Sequence, residues 1–416
     1  MKKSIKPSRV EGCIEAPPSK SMTQRAIAAA LLAAGQSEIR NPSSCEDAVA
    51  AVRVAEGLGA EIQRRPGRLS VQGGFKPKSA RLDCGESGLC LRLFSPIAAL
   101  ASSSLRLDGR GSLKRRPVGM MEKPLAELGV LCSTAAGFPP VSVRGPIHGG
   151  EVEVDGSVSS QFVSGLLMAL PRANETSTLR VRGLASRAYV DLTMSVLKTF
   201  GIGLVNDRYE RFDVEGQQTY RPASVEVEGD WSGASFFLVA GAVAGCVEVR
   251  GLDFESPQPD RRILEALQSC GARVECAPGL VRVEGGDLRA FDFDASGSPD
   301  LFPPLAVLAS FCRGTSRLTG VHRLRHKESD RAAVLVTQLA GLGGDVRTSG
   351  DSLEIHGRLL GGGTIDPHRD HRIAMAGAVA ALGARTKVEI LDSECVSKSY
   401  PGFFEDLEKI GVRFHE

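Results

Sequence analysis

Leu125-Ala126-Glu127-Leu128-Gly129-Val130 reads as the end of an amphipathic helix: apolar positions, a short polar step, a glycine, then the first apolar residue of a strand. Glycine suits that place because the chain must pass through a left-handed backbone conformation between helix and strand. The same punctuation recurs at Ala55-Glu56-Gly57-Leu58-Gly59-Ala60-Glu61-Ile62, Leu197-Lys198-Thr199-Phe200-Gly201-Ile202 and Leu267-Gln268-Ser269-Cys270-Gly271-Ala272-Arg273-Val274. It recurs again at Leu339-Ala340-Gly341-Leu342-Gly343-Gly344-Asp345-Val346 and Leu407-Glu408-Lys409-Ile410-Gly411-Val412-Arg413-Phe414. The glycines fall at 59, 129, 201, 271, 343 and 411, spaced by 70, 72, 70, 72 and 68 residues. One or two such ends are coincidence; six at a near-constant period are a repeat.

Six units of about 70 residues account for the 416-residue chain. Each is too long for a solenoid module and reads as a small α/β unit. Leu69-Ser70-Val71, Val152-Glu153-Val154, Val225-Glu226-Val227, Val247-Glu248-Val249 and Val281-Arg282-Val283 alternate at the period of a strand. The length exceeds what one hydrophobic core serves, which predicts two domains of three units each. The period leaves open where the chain crosses between them.

Composition narrows the function. Lys and Arg total 51 against 49 Asp and Glu, a net charge of +2, and aromatics are 5 % of residues. A nucleic-acid or membrane-surface binder needs a cationic excess, and single-strand binders need stacking aromatics. The balance points to an enzyme of small molecules. Met1-Lys2-Lys3-Ser4 is followed by no apolar segment before Pro7, so no signal peptide is read. The longest apolar stretches, Ala26–Ala34, Ala234–Val247 and Ile373–Gly383, fall short of a membrane span. Ten cysteines with no CxxC pair suggest reduced, mostly buried thiols in a cytoplasmic protein.

The chemistry lies at the helix starts. Pro17-Pro18-Ser19-Lys20-Ser21-Met22-Thr23-Gln24-Arg25 combines an extended entry, a capping serine and two cations near a helix N-terminus, which together cradle an anion. Gly85-Glu86-Ser87-Gly88-Leu89-Cys90-Leu91-Arg92 opens a second helix, Val158-Ser159-Ser160-Gln161-Phe162 a third and Ser186-Arg187-Ala188-Tyr189 a fourth. Lys327-Glu328-Ser329-Asp330-Arg331 and Asp370-His371-Arg372 precede two more. Taken alone, such a helix start reads sooner as a capped helix with solvated cations; their recurrence suits a site for polyanionic ligands. His368 and His371 do not read as a metal pair, because Arg369 and Arg372 repel a cation. Asp108-Gly109-Arg110-Gly111 lacks the third glycine of a dinucleotide fingerprint, Gly361-Gly362-Gly363 is expected to be a flexible turn, and Trp231 is read as packing.

Taken together, these stretches resemble the 5-enolpyruvylshikimate-3-phosphate (EPSP) synthase family over essentially the whole chain. They run in family order: Pro18-Ser19-Lys20-Ser21 with Arg25, Gly85, Gly88 and Arg92, Lys114-Arg115-Arg116-Pro117, Asp155-Gly156-Ser157-Val158-Ser159-Ser160-Gln161-Phe162, Lys327-Glu328-Ser329-Asp330-Arg331, Asp370-His371-Arg372, and Lys398 before Pro401. The resemblance implies a two-domain inverse α/β fold of six βαβαββ units, three per domain, around an interdomain cleft. It implies one domain of residues 1–17 plus 230–416 and another of 18–229. The implied reaction moves the enolpyruvyl group of phosphoenolpyruvate to the 5-hydroxyl of shikimate 3-phosphate and releases phosphate, with no cofactor and no metal. The implied partners are these two substrates, with no nucleic acid and no membrane, and the implied state is a monomer.

The family pattern places Lys20, Gly88, Arg116, Gln161, Arg331, Arg372 and Lys398 around phosphoenolpyruvate. It places Lys20, Ser21, Arg25, Ser159, Ser160, Gln161, Ser186, Tyr189, Asp300 and Lys327 around shikimate 3-phosphate. Asp300 is the implied base and Glu328 the implied acid, with Lys20 or Lys398 assisting. As isolated residues, Asp300 reads as a cap or turn residue and Glu328 as an ion-pair partner of Lys327 or Arg331. The chain departs from the family where Glu86-Ser87 replaces Asn-Ala, where Leu89, Cys90 and Leu93 replace small residues or proline, and where Arg323 replaces an asparagine; the first change touches the pocket that the inhibitor glyphosate occupies in the family. The nearest alternative is UDP-N-acetylglucosamine enolpyruvyl transferase, whose mobile loop generally carries a reactive cysteine; Asp108–Pro117 contains none. A non-catalytic binding protein for phosphorylated metabolites is the alternative from another class.

Overall fold

The computed structural model describes residues 1–415. All six repeat glycines adopt positive φ, from +78° at Gly201 to +118° at Gly59. The hydrogen bonding around them is the same six times over. At the second site the Gly129 N–H donates to the Ala126 carbonyl and the Val130 N–H to the Leu125 carbonyl. Gly411 and Val412 repeat this with the carbonyls of Glu408 and Leu407. This Schellman arrangement satisfies the last helical carbonyls and turns the chain into the next strand. The residue before each glycine (Leu58, Leu128, Phe200, Cys270, Leu342, Ile410) is buried, so each turn is anchored in a core.

The chain forms two compact units: Pro18–Val227, and Met1–Pro17 together with the chain from Glu228 onward. Each contains three four-stranded sheets. One sheet shows the common plan. Strands Gly150–Asp155 and Ser177–Arg182 run parallel, Arg211–Val214 pairs antiparallel with the second, and Val205–Asp207 lies outside it. Helix Ser160–Ala169 joins the parallel strands, and helix Arg187–Thr199 leads to the hairpin. That is a βαβαββ unit, and the expected α/β fold is borne out. In two sheets the first strand is exchanged in sequence. Val10–Glu15 pairs with Gly245–Arg250, and Ser224–Glu226 with Gly35–Arg40.

Each unit has three central helices. They are Lys20–Leu32, Gly88–Ala98 and Ser160–Ala169 in one, and Trp231–Ala244, Phe302–Ser310 and His371–Leu382 in the other. All eleven residues of Gly88–Ala98 and all twelve of His371–Leu382 are buried, so these helices are enclosed all round rather than striped. A Cβ on Gly165 would sit 2.7 Å from the Arg92 carbonyl oxygen, so glycine there lets helices Gly88–Ala98 and Ser160–Ala169 approach closely. With their flanks sealed, the central helices offer chemistry at their ends.

Two local expectations fail. The cysteines are all free thiols, but only five are buried; Cys276 is exposed on a hairpin strand, whose outward positions burial does not reach. Gly361–Gly363 is not a loose turn. The Gly361 N–H donates to the Leu342 carbonyl, Gly363 begins a strand, and a Cβ on Gly362 would lie 2.0 Å from Thr386 Oγ1. Close packing selects glycine at 362, and a φ of +146° favours it at 363.

Candidate active site

In the Pro18–Val227 unit, Ser19 caps helix Lys20–Leu32, its hydroxyl accepting from the Met22 N–H at 3.3 Å. Lys20, the first helical residue, forms an ion pair of 3.1 Å with the buried Asp47. Arg25 is fully buried. Its Nε donates to Thr193 Oγ1 (2.8 Å), Nη1 to the Ser21 carbonyl (2.9 Å), and Nη2 to the Tyr189 carbonyl (3.2 Å) and Ser164 Oγ (3.4 Å). Burial lowers its pKa to about 10, and these neutral acceptors orient the guanidinium without cancelling its charge. Arg25 therefore fixes Ser21 and Tyr189, two other candidates, relative to one another.

Ser87 caps the next central helix by accepting from the Cys90 N–H (3.2 Å), and its hydroxyl donates to Gln24 Oε1 (3.2 Å). Gly88 follows at the meeting point of three side chains. A Cβ there would lie 2.8 Å from Arg116 Nη1, 3.0 Å from Arg92 Nη1 and 3.8 Å from Gln161 Oε1. Arg92 donates to Gln161 Oε1 (2.9 Å) and to the Pro117 carbonyl (3.0 Å). Ser159 and Ser186 occupy N-cap positions, yet neither hydroxyl bonds to its own helix. Both side chains are buried, as is Ser160. Lys20, Ser21, Arg25, Gly88, Arg116, Ser159, Ser160, Gln161, Ser186 and Tyr189 all lie at helix starts or in the loops leading into them.

In the other unit, Asp300 sits in the 3₁₀ turn Pro299–Leu301 ahead of helix Phe302–Ser310. One carboxylate oxygen accepts from Arg331 Nη1 (2.9 Å) and from Lys327 Nζ (3.4 Å); the other faces Arg372 Nη2 at 3.2 Å. Arg331 is wholly buried. Its Nη2 donates to Glu328 at 2.7 Å, and its Nε and Nη2 to Asp370 at 2.9 and 3.2 Å. Glu328 also faces Lys398 at 3.9 Å. The ion pair read for Glu328 as an isolated residue is present, and so is a second cation beside it.

Burial pushes the Asp300 carboxyl up, but Arg372, Lys327 and Arg331 outweigh it and hold the group well below its ordinary range. Burial lowers the Lys327 ammonium; Asp300 opposes that shift, while Arg331 and Arg323 add to it. Burial also works against the Arg331 charge, but Asp370, Glu328 and Asp300 reverse this and raise its pKa. Such a cluster holds one carboxylate ionised among cations and a second between a guanidinium and an ammonium, an arrangement suited to moving protons beside an anionic ligand.

Sequence reasoning quoted Asp370 and Arg92 but gave neither a role, and it missed Asp47. Asp370 caps helix His371–Leu382, accepting from the Arg372 N–H at 3.0 Å, and also accepts from Ser329 Oγ at 3.1 Å. An Asp directly before an apolar helix signalled the cap; its bonds to Arg331, 39 residues away, have no local signal. Arg323 brings a further cation to bear on Lys327.

Six βαβαββ sheets with cations, hydroxyls and carboxylates gathered at helix starts define a protein of the enolpyruvyl transferase fold. The enolpyruvyl transferase NikO from Streptomyces tendae shares that fold, with a TM-score of 0.82 at 17 % identity over 100 % of this chain and 98 % of that one. A family model for EPSP synthase (3-phosphoshikimate 1-carboxyvinyltransferase) matches residues 5–407. A 3-phosphoshikimate 1-carboxyvinyltransferase from Aeropyrum pernix is 45 % identical over 98 % of this chain and 95 % of its own length. An EPSP synthase structure from Acinetobacter baumannii has a TM-score of 0.84 at 27 % identity, with both chains fully covered. The chain belongs to the EPSP synthase family. The family transfers the enolpyruvyl group of phosphoenolpyruvate to shikimate 3-phosphate, a step of aromatic amino-acid biosynthesis.

Proposed function

We propose that this chain carries out the family's reaction with the two clusters described above, and that Asp300, bound by Lys327, Arg331 and Arg372, is the observation that carries the reading. Asp300 takes the proton of the shikimate 3-phosphate 5-hydroxyl as that oxygen bonds to C2 of phosphoenolpyruvate. Glu328 delivers a proton to the methylene carbon, with Lys20 or Lys398 assisting. The tetrahedral adduct then breaks its bond to phosphate, and a methyl proton leaves to restore the vinyl group. Each substrate carries a phosphate and a carboxylate, so bringing them together calls for several fixed cations.

Lys20, Gly88, Arg116, Gln161, Arg372 and Lys398 hold phosphoenolpyruvate in this reading. Shikimate 3-phosphate is held by Lys20, Ser21, Arg25, Ser159, Ser160, Gln161, Ser186, Tyr189, Asp300 and Lys327. Arg331 belongs to the phosphoenolpyruvate set by resemblance, while its burial and its carboxylate partners support a role in holding Asp300 and Glu328. The two compact units are proposed as the protein's two domains. The reading also takes the protein as a cytoplasmic monomer that acts on small molecules rather than on nucleic acid or membrane. No helix among the described residues is long and apolar enough to cross a membrane.

The test is phosphate release from phosphoenolpyruvate, with shikimate 3-phosphate or UDP-N-acetylglucosamine supplied separately. Release with shikimate 3-phosphate alone is expected; release with only the sugar nucleotide would move the chain's substrate to the alternative acceptor. Asp300→Ala is expected to lower kcat by roughly 10²–10⁴-fold while calorimetry still finds shikimate 3-phosphate bound. Undiminished turnover in that variant would remove Asp300 as the base.

A further inference from the structure

Glu86 stands two residues before Gly88, at the entry to the helix Gly88–Ala98. The half-buried Glu86 side chain reaches across to the loop that carries Arg116. Its Oε2 accepts from both the Ser112 backbone N–H and the Ser112 hydroxyl, each at 3.1 Å. The loop closes directly over this carboxylate. Gly111, at φ +54°, lies so near that a Cβ would sit 2.1 Å from Glu86 Oε1. Backbone bonds zip the same two segments together, from the Cys84 N–H to the Asp108 carbonyl and from the Arg110 N–H to the Gly85 carbonyl, both 2.8 Å.

The direction of the hydrogen bonds matters. An ionised carboxylate only accepts, so the single proton of the Ser112 hydroxyl points to Glu86 and the hydroxyl lone pairs turn away from it. Arg116 Nη2 donates to that oxygen from 3.5 Å. Glu86 thereby sets the orientation of the hydroxyl that Arg116 meets.

We propose that Glu86 is a positioning residue that presents Arg116 to phosphoenolpyruvate through Ser112. The inference rests on the proposed reaction, in which Arg116 binds that substrate. The test combines steady-state kinetics, with phosphoenolpyruvate varied at saturating shikimate 3-phosphate, and amide hydrogen exchange of residues 109–117. Glu86→Ala is expected to raise KM for phosphoenolpyruvate about ten- to hundredfold, the worth of a hydrogen bond to a charged group, and to speed exchange of the Ser112 amide. Its kcat and its KM for shikimate 3-phosphate should move less than about threefold on the same scale. Glu86→Gln, which keeps an acceptor for the Ser112 N–H but can donate to the hydroxyl, should slow loop exchange again while recovering only part of the KM. Ser112→Ala combined with Glu86→Ala should be no worse than Glu86→Ala alone. An unchanged KM for phosphoenolpyruvate, an equal fall in kcat, or additive effects would overturn the inference. If Glu86→Ala does not fold, Glu86→Gln and Ser112→Ala decide it. Failure of the unmodified protein to release phosphate would instead sink the proposed reaction, and the exchange measurement alone would then decide whether Glu86 holds this loop.

Discussion

The cluster around Gly88 and the cluster around Arg331 bury their guanidiniums in opposite ways. Arg25 and Arg92 are held through neutral acceptors: the Ser21, Tyr189 and Pro117 carbonyls, the Ser164 and Thr193 hydroxyls, and the Gln161 amide. Arg331 is held through three carboxylates, Asp300, Glu328 and Asp370. A neutral acceptor fixes a cation's direction and leaves its field for an incoming anion. A carboxylate cancels that field locally, and in return the surrounding cations hold the Asp300 carboxyl ionised. In the proposed reaction the first cluster receives anions, and the second holds Asp300 ionised as the base.

Arg331→Met tests the second half of this contrast most severely. It leaves three carboxylates facing one another with one cation fewer, at an expected cost of about 3–5 kcal/mol in urea unfolding. Arg92→Met, which strands the Gln161 side-chain oxygen and the Pro117 carbonyl, should cost about 1–2 kcal/mol; the reverse order would break the comparison. Asp300→Asn sharpens it through pH. The folded carboxyl lies below its unfolded value of about 3.9, so its stabilisation is full above that value and declines as pH falls through it towards the folded value. The stability difference between the unmodified protein and Asp300→Asn should therefore hold at about 1.5–3 kcal/mol from pH 7 to 5 and shrink below about pH 4. Ser87→Ala, which removes a neutral cap in the first cluster, should cost only about 1 kcal/mol, with no dependence on pH over the same range.

Much of this was legible in the chain because the relevant rules act over a few residues. A helix that must turn into a strand calls for a left-handed residue, so six glycines exposed the repeat, and all six take positive φ. Ser19, Ser87 and Asp370 precede their helices and cap them. What stayed hidden was which helix start meets which. Lys20 finds Asp47, Arg92 finds Gln161 and Arg331 finds Asp370 across 27, 69 and 39 residues. The motifs named the cations but not the groups that restrain them. Gly361–Gly363 misled for the same reason, since the atoms that demand glycine at 362 belong to Thr386 and Lys387.

The sequence by itself determined the repeat, its α/β content and the helix ends with their capping residues, because backbone conformation, capping and periodicity are local and bear directly on residue type. Only the tertiary structure decided that Arg331 lies among three carboxylates while Arg92 lies among neutral oxygens. The charge state and orientation of a buried group depend on partners that sheet pairing and helix packing bring close from distant parts of the chain.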